Sequence, residues 1–116
     1  MDINEIFVQA KEDKIQVAIE NILENGLRYV EQKICVSLKA EGLFAVLEIY
    51  NDGPNIDNAH IGHIFDNFYK DKTGNFGLGL AISKKIIDFY NGEVIAINRD
   101  KGVSFIIRLN IKNNQV

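Results

Sequence analysis

Cysteine occurs once in these 116 residues, at position 35, and tryptophan not at all. A lone cysteine excludes an internal disulfide and suits a reducing compartment. Positive charge is not in excess: 13 Lys and Arg face 16 Asp and Glu, for a net charge of −3. No basic stripe interleaved with aromatics is present, so no nucleic-acid partner is expected. No apolar run approaches the roughly 18 residues of a membrane span, and no signal-peptide pattern opens the chain. The chain as it stands is expected to be soluble, although it could be cut from a membrane protein. Internal repeats, low-complexity tracts and interdomain linkers are missing as well.

What is present is globular in character. Hydrophobic residues make up 47% and charged residues 25%, enough for one domain with a real core. The most regular stretch runs from Asp13 to Tyr29. At about 100° per residue, Ile15, Ile19, Leu23, Leu27 and Val30 gather on one side of a helix. Asn21, Asn25 and Arg28 fall on the opposite side, with Lys14 and Tyr29 near the same stripe. Each mid-helix Asn costs roughly 0.5 kcal/mol relative to Ala. Either a solvated face tolerates them, or something there needs short amide side chains. Asp13 is the expected N-cap, with Gln16 completing a capping box.

Around this helix the chain reads as strands. Ile3 to Gln9 has a weak strand pattern. Lys33 to Lys39 alternates as a half-buried strand and pairs with the more apolar Leu43 to Tyr50 through the turn Ala40-Glu41-Gly42. At Asn51-Asp52-Gly53-Pro54-Asn55 the character changes to turn formers. About 25 residues follow without a long periodic segment, a length that usually marks a functional lid or disorder. A second helix runs from Leu80 to about Tyr90, and Asn91-Gly92 stops it. Glu93 to Asn98 and Val103 to Ile111 form a second hairpin, and the tail from Lys112 is expected to fray.

Several chemistries can be tested by spacing. Gly77-Leu78-Gly79 opens directly into a helix, where free N–H groups and the helix dipole favour anions. A flexible connector explains the same residues. A P-loop fails, because Leu80 stands where Lys should follow Gly79. A dinucleotide fingerprint fails, because Ile82 occupies the third glycine position. His60 and His63 have neither a Cys nor a third His to complete a metal site, and they read as surface residues. No GxSxG or HExxH is present, and Cys35 lies mid-strand with no cue for activation.

What remains is an ordered set of segments. Asn-x-x-x-Asn-x-x-Arg-Tyr lies on a helix, and Asn-Asp-Gly-Pro-Asn-Ile follows a strand. Ile-Phe-Asp-Asn-Phe-Tyr-Lys comes next, and Gly-Asn-Phe-Gly-Leu-Gly-Leu-Ala-Ile opens the second helix. In this order and spacing the chain resembles the catalytic ATP-binding domain of bacterial sensor histidine kinases. Their superfamily also holds gyrase, Hsp90 and MutL. The resemblance runs from about Asp13 to Leu109. It implies an α/β sandwich in which helices cover one face of a mixed, mostly antiparallel sheet of about five strands. The nucleotide would lie between the Asn helix and a lid of about residues 57–76. The start of the domain looks trimmed.

The resemblance also implies roles, one position at a time. Asn25 matches a Mg²⁺ ligand, with Asn21 one turn earlier facing the same ion or its waters; Mg²⁺ prefers few protein oxygens plus waters and phosphate oxygens. Arg28 matches a phosphate-contacting Lys, and Tyr29 an aromatic beside the nucleotide. Asn51 stands where many members carry the Asp that accepts a hydrogen bond from the adenine amino group, which an Asn oxygen can also do. Gly53 gives the close backbone approach, and Ile56 closes the same box. Asn55 replaces its usual second glycine, a position where αL is tolerated by Asn. Phe65 and Phe68 match the aromatic box, although core packing explains them too. Lys70 matches a basic lid residue reaching the γ-phosphate. Gly77, Leu78, Gly79 and Leu80 match the second glycine box, and Gly102 to Phe105 a late Gly-x-Ser/Thr-x-Phe segment. Lys72 and Lys84 read as surface charges.

The activity implied is donation of the γ-phosphoryl group of Mg-ATP to a histidine on a separate dimerisation domain. That domain's motif is not in this chain, and neither His60 nor His63 sits in such a context. The module is expected to be monomeric alone, part of a membrane-anchored homodimeric kinase with this domain in the cytoplasm, and to act on a response regulator indirectly. Two alternatives stay open. A hydrolysing relative would carry Glu at position 21 to activate water, whereas Glu20 is about 100° round the helix. A non-catalytic module with a decayed nucleotide site is the other, given Asn51 and Asn55.

Overall fold

Two antiparallel hairpins joined along their long edges make a four-stranded sheet, and two helices lie over one face of it. The computed structural model describes residues 6–67, 69 and 78–112. In chain order these form α1 (Glu12–Tyr29), β1 (Ile34–Glu41), β2 (Phe44–Asn51), a 3-10 turn (Ile61–His63), α2 (Leu78–Phe89), β3 (Glu93–Asn98) and β4 (Val103–Asn110). The sheet order is β1-β2-β4-β3, and every pairing is antiparallel. Asn51 pairs with Val103 at one end of the central pair, and Phe44 with Asn110 at the other.

The sheet has fewer strands than the sequence suggests. Of the weak strand at Ile3 to Gln9, the described residues contribute one bridge, Val8 to Ile111, and a Lys112 N–H donating to the Phe7 carbonyl at 2.6 Å. Beyond Val8 the chain bends at Gln9 and Ala10 into α1, and Ile3 to Glu5 lie outside the described residues. The start of α1 also differs. Lys11 is the N-cap, its carbonyl accepting from Lys14 and Ile15, and no side chain caps the helix. Asp13 is inside the first turn, where its carboxylate takes the Lys14 N–H and, with Glu12, complements the helix dipole.

The buried stripe of α1 is Ala18, Ile22 and Gly26, flanked by Ile15, Ile19 and Leu23. This is rotated from the expected apolar side. Leu27 is 59% exposed, while Gly26 is buried because the Ile34 side chain occupies the space beside it. Asn21 and Asn25 therefore border the buried stripe instead of standing opposite it, and both are half-buried. The core runs from Ile22 through Ile49, Phe105 and Ile107 to Ile87 and Leu80. Ser83 is fully buried between the helices and donates to the Ala18 carbonyl at 2.7 Å.

Helix α2 ends at Asn91, whose φ of 61° and N–H bond to the Asp88 carbonyl make the left-handed cap. The Gly92 N–H closes the motif on Ile87. Strand β1 departs from the half-buried expectation, with Val36 55% and Leu38 56% exposed. The helices pack over β2 and β3, and among the described residues no helix packs over β1 to the same extent.

Candidate functional site

One end of the sandwich gathers segments far apart in the chain: the C-terminal half of α1, the end of β2, the turn before β4 and the start of α2. The turn after β2 is held from three sides. Asp52 is 6% exposed, and its carboxylate accepts the N–H groups of Glu31, Gln32 and Lys33 at 3.0–3.2 Å. Those bonds, the Gln32 N–H foremost, hold its carboxyl below the usual carboxylate range against the opposing pull of burial. The chain leaving α1 is thereby tied to the end of β2.

Gly53 follows with its backbone pressed on α1, so that a Cβ there would collide with the Tyr29 carbonyl. Its N–H donates to the Asn51 Oδ1 at 3.0 Å. Asn55 does not adopt the left-handed conformation the missing glycine suggests, since Asn91 is the one non-glycine residue with positive φ among those described. Its Nδ2 instead donates to the carbonyls of Arg99 and Gly102 at 3.0 and 2.8 Å. Gly102, at φ 90°, lies so close to Asn51 and Asp52 that a side chain would collide with their backbone. Ile56 is clamped at both backbone groups: its N–H donates to Asn98 Oδ1 at 2.8 Å, and Asn98 Nδ2 donates to its carbonyl at 2.7 Å.

Several residues that the sequence singles out meet here. Gly79 lies against Asn21, whose Cγ would be 3.4 Å from a Cβ on the glycine. Asn51 lies against Gly26, the neighbour of Asn25, with Nδ2 3.8 Å from the corresponding point. Tyr29 is half-buried, and Arg28 is exposed and without an ion pair among the described residues. Phe65 packs edge-on against Phe105 with centroids 6.2 Å apart, and Leu80 is buried in the core, which leaves its backbone for any ligand. Phe68, Lys70, Lys72 and Gly77 lie outside the described residues, as does the side chain of Leu78.

Sequence reasoning takes Asp52, Asn98 and Asn55 as turn formers or strand ends. Their bracing partners are some 20–50 positions away, beyond any local pattern. His60 and His63 are both exposed, and His63 pairs with Asp66 at 2.9 Å. Among the described residues no three His, Cys, Asp or Glu side chains cluster as a metal site. The amides of Asn21 and Asn25 fit a cation that takes most of its oxygens from water and phosphate. The bare backbone of Gly53 is required by the Tyr29 carbonyl that fills the space of a Cβ, and that of Gly79 lies against Asn21.

A two-layer α/β domain with an amide-bearing helix and glycine turns at one end of its sheet is the catalytic-domain type of the histidine kinases. The chain belongs to the family described as histidine kinase-, DNA gyrase B-, and HSP90-like ATPase, which matches residues 10–113. It is 39% identical over 89 residues to the sensor histidine kinase CssS of Bacillus subtilis, covering 77% of this chain and 20% of that protein. It is 32% identical over 112 residues to the heme sensor protein HssS of Staphylococcus epidermidis, covering 93% and 24%. Among solved structures, the nucleotide-free catalytic domain of histidine kinase ThkA superposes with a TM-score of 0.81 at 30% identity, covering 89% of this chain and 70% of that one. The chain thus spans between a fifth and a quarter of these curated relatives. No described helix is long and apolar enough to cross a membrane.

Proposed function

We propose that the chain is the catalytic module of a sensor kinase that binds Mg-ATP and donates the γ-phosphoryl group to a histidine on a separate dimerisation and phosphoacceptor domain. The observation that carries this reading is the meeting of Asn21 with Gly79 and of Gly26 with Asn51 at one end of the sheet. In phosphoryl transfer the protein mostly positions groups and neutralises charge. The amides of Asn21 and Asn25 would hold Mg²⁺, and Arg28 would face the phosphates. Lys70, on a lid of about residues 57–76, would meet the terminal phosphate. Gly53, Ile56 and Gly79 would lie along the nucleotide with Tyr29 and Phe65. A parent homodimer anchored in the bacterial membrane would carry this module in the cytoplasm and pass the phosphoryl group on to a response regulator.

Hydrolysis of ATP to water has less support. Glu20 and Glu24, the carboxylates adjacent to the Asn pair on α1, are both exposed, and Glu20 accepts a hydrogen bond from Gln16 at 2.8 Å. The test is Asn25→Asp, which adds charge near the phosphates at a position outside the buried stripe. The fold should persist by circular dichroism. Mg-ATP affinity in calorimetry should fall by about 10–100-fold, the loss typical of disturbing a metal's supporting groups, and transfer to a supplied acceptor domain should fail. Unchanged affinity together with full transfer would remove Asn25 from the site.

A further inference from the structure

Strand β1 is an edge of the sheet, and its outer flank meets no other strand among the described residues. It keeps one register over its full length, with no proline or bulge, the devices that commonly blunt an edge. Every residue of the strand after Ile34 is exposed. The two-residue turn Gly42-Leu43 makes Glu41 and Phe44 a hydrogen-bonded pair, so Glu41, Lys39, Ser37 and Cys35 turn their backbone groups toward β2. Lys33 continues this alternation, its carbonyl accepting the Asp52 N–H at 3.3 Å. The N–H and C=O groups of Ile34, Val36, Leu38 and Ala40 therefore point outward along the free edge. Val36 and Leu38 stand on the same face of the sheet as their β2 neighbours Ile49 and Leu47. Both are more than half exposed, because the helices pack over β2 and β3. An open backbone ladder and an apolar row thus coincide on one edge.

We propose that β1 pairs with β1 of a second copy of this chain, antiparallel about a two-fold axis at Ser37, giving a dimer in place of the monomer expected of the module alone. Nothing in this pairing depends on the nucleotide site. The charge pattern of the edge selects a second copy as the occupant. With Ser37 on the axis, Lys33 faces the second copy's Glu41, and Glu41 faces its Lys33. Val36 then faces Leu38 and Ile34 faces Ala40, so the outward backbone groups meet along the strand and the apolar row becomes continuous across the axis. Sliding the pairing one step one way sets Lys33 against Lys39. One step the other way sets Glu41 against Cys35, with no opposite charge in reach. The other edge, β3, carries Glu93 and no Lys or Arg to answer it. Each copy uses β1 once, so assembly closes at two chains.

Sedimentation equilibrium of the unmodified chain should give twice the 13.1 kDa mass of one chain. A thiol reductant in the buffer keeps Cys35 from linking the copies covalently. Lys33→Glu and Glu41→Lys should each weaken the dimer about tenfold, since two symmetric pairs turn from attraction to repulsion. The chain carrying both reversals should recover the dimer, a rescue that loss of fold does not produce. Ser37 meets its own counterpart at a non-hydrogen-bonded position, where Cα atoms are about 4.5 Å apart, within the span of a disulfide. Without reductant, Ser37→Cys in a Cys35→Ser background should therefore cross-link much faster than Cys35, which faces Lys39, does in the unmodified chain. A single-chain mass up to about 1 mM overturns the inference. So does a dimer that ignores both charge reversals and cross-links no faster through position 37, since its contact would then lie elsewhere on the chain.

Discussion

At the scale of single residues, Asp52 holds more of the site than its place in a run of turn formers indicates. Three successive N–H groups converge on its carboxylate and depress its pKa in the folded chain. A depressed carboxyl contributes stability above its unfolded pKa of about 3.9 and loses it as pH falls through the lower folded value. Urea denaturation at a series of pH values should therefore show stability declining below about pH 4. Asp52→Asn should be less stable at neutral pH and should flatten that decline. An unchanged profile would mean that the carboxylate bonds contribute nothing. Glu48 adds to the same acid sensitivity, its carboxyl lowered by the Ser104 hydroxyl at 2.6 Å and then by Arg99. The turn residues themselves were legible as Asn, Asp and Gly around one proline. Their partners were not, because a side chain's reach across the fold leaves no trace in local spacing. Asn55 shows this most plainly: read as a stand-in for a left-handed glycine, it braces the β3–β4 turn instead.

Among the elements, α1 separates what periodicity reveals from what packing decides. Its length is read almost to the residue, and both hairpins, the β3 span and the Asn91 stop follow from alternation and turn chemistry, although the first turn is Gly42-Leu43, with Ala40 and Glu41 paired in β1 instead of turning. The buried face is not. Hydrophobic spacing puts Leu27 inside, but the close approach of Ile34 to Gly26 rotates the helix so that the small residue faces the sheet. A glycine carries no hydrophobic signal and so is invisible to that method. The consequence is measurable in urea. Ile22→Ala should cost about 2–5 kcal/mol as a fully buried deletion, whereas Leu27→Ala should stay within about 0.5 kcal/mol. Equal losses would restore the face expected from the sequence. Strand β1 carries the same lesson, since its alternation was plain yet no helix among those described packs against Val36 and Leu38 as α1 and α2 pack over β2 and β3.

Across the whole molecule, the two ends of the sandwich are different in kind. One gathers Asn21, Gly26, Asn51, Gly53 and Gly79, the meeting on which the proposed nucleotide site rests. The other holds a cleft of about 560 Å³ lined by Val8, Lys11, Phe89, Tyr90, Asn91 and Leu109, none of them from the ordered set of motifs. The chemistry of the side chains favours the amide end. Amide chemical-shift mapping by NMR decides between them directly. Titrating the chain with Mg²⁺ and a non-hydrolysable ATP analogue should move the resonances of Asn21, Asn25, Gly26, Gly53 and Gly79 first and furthest, and should leave Val8, Lys11, Asn91 and Leu109 in place. Shifts concentrated around the cleft, or none at saturating nucleotide, would contradict the account.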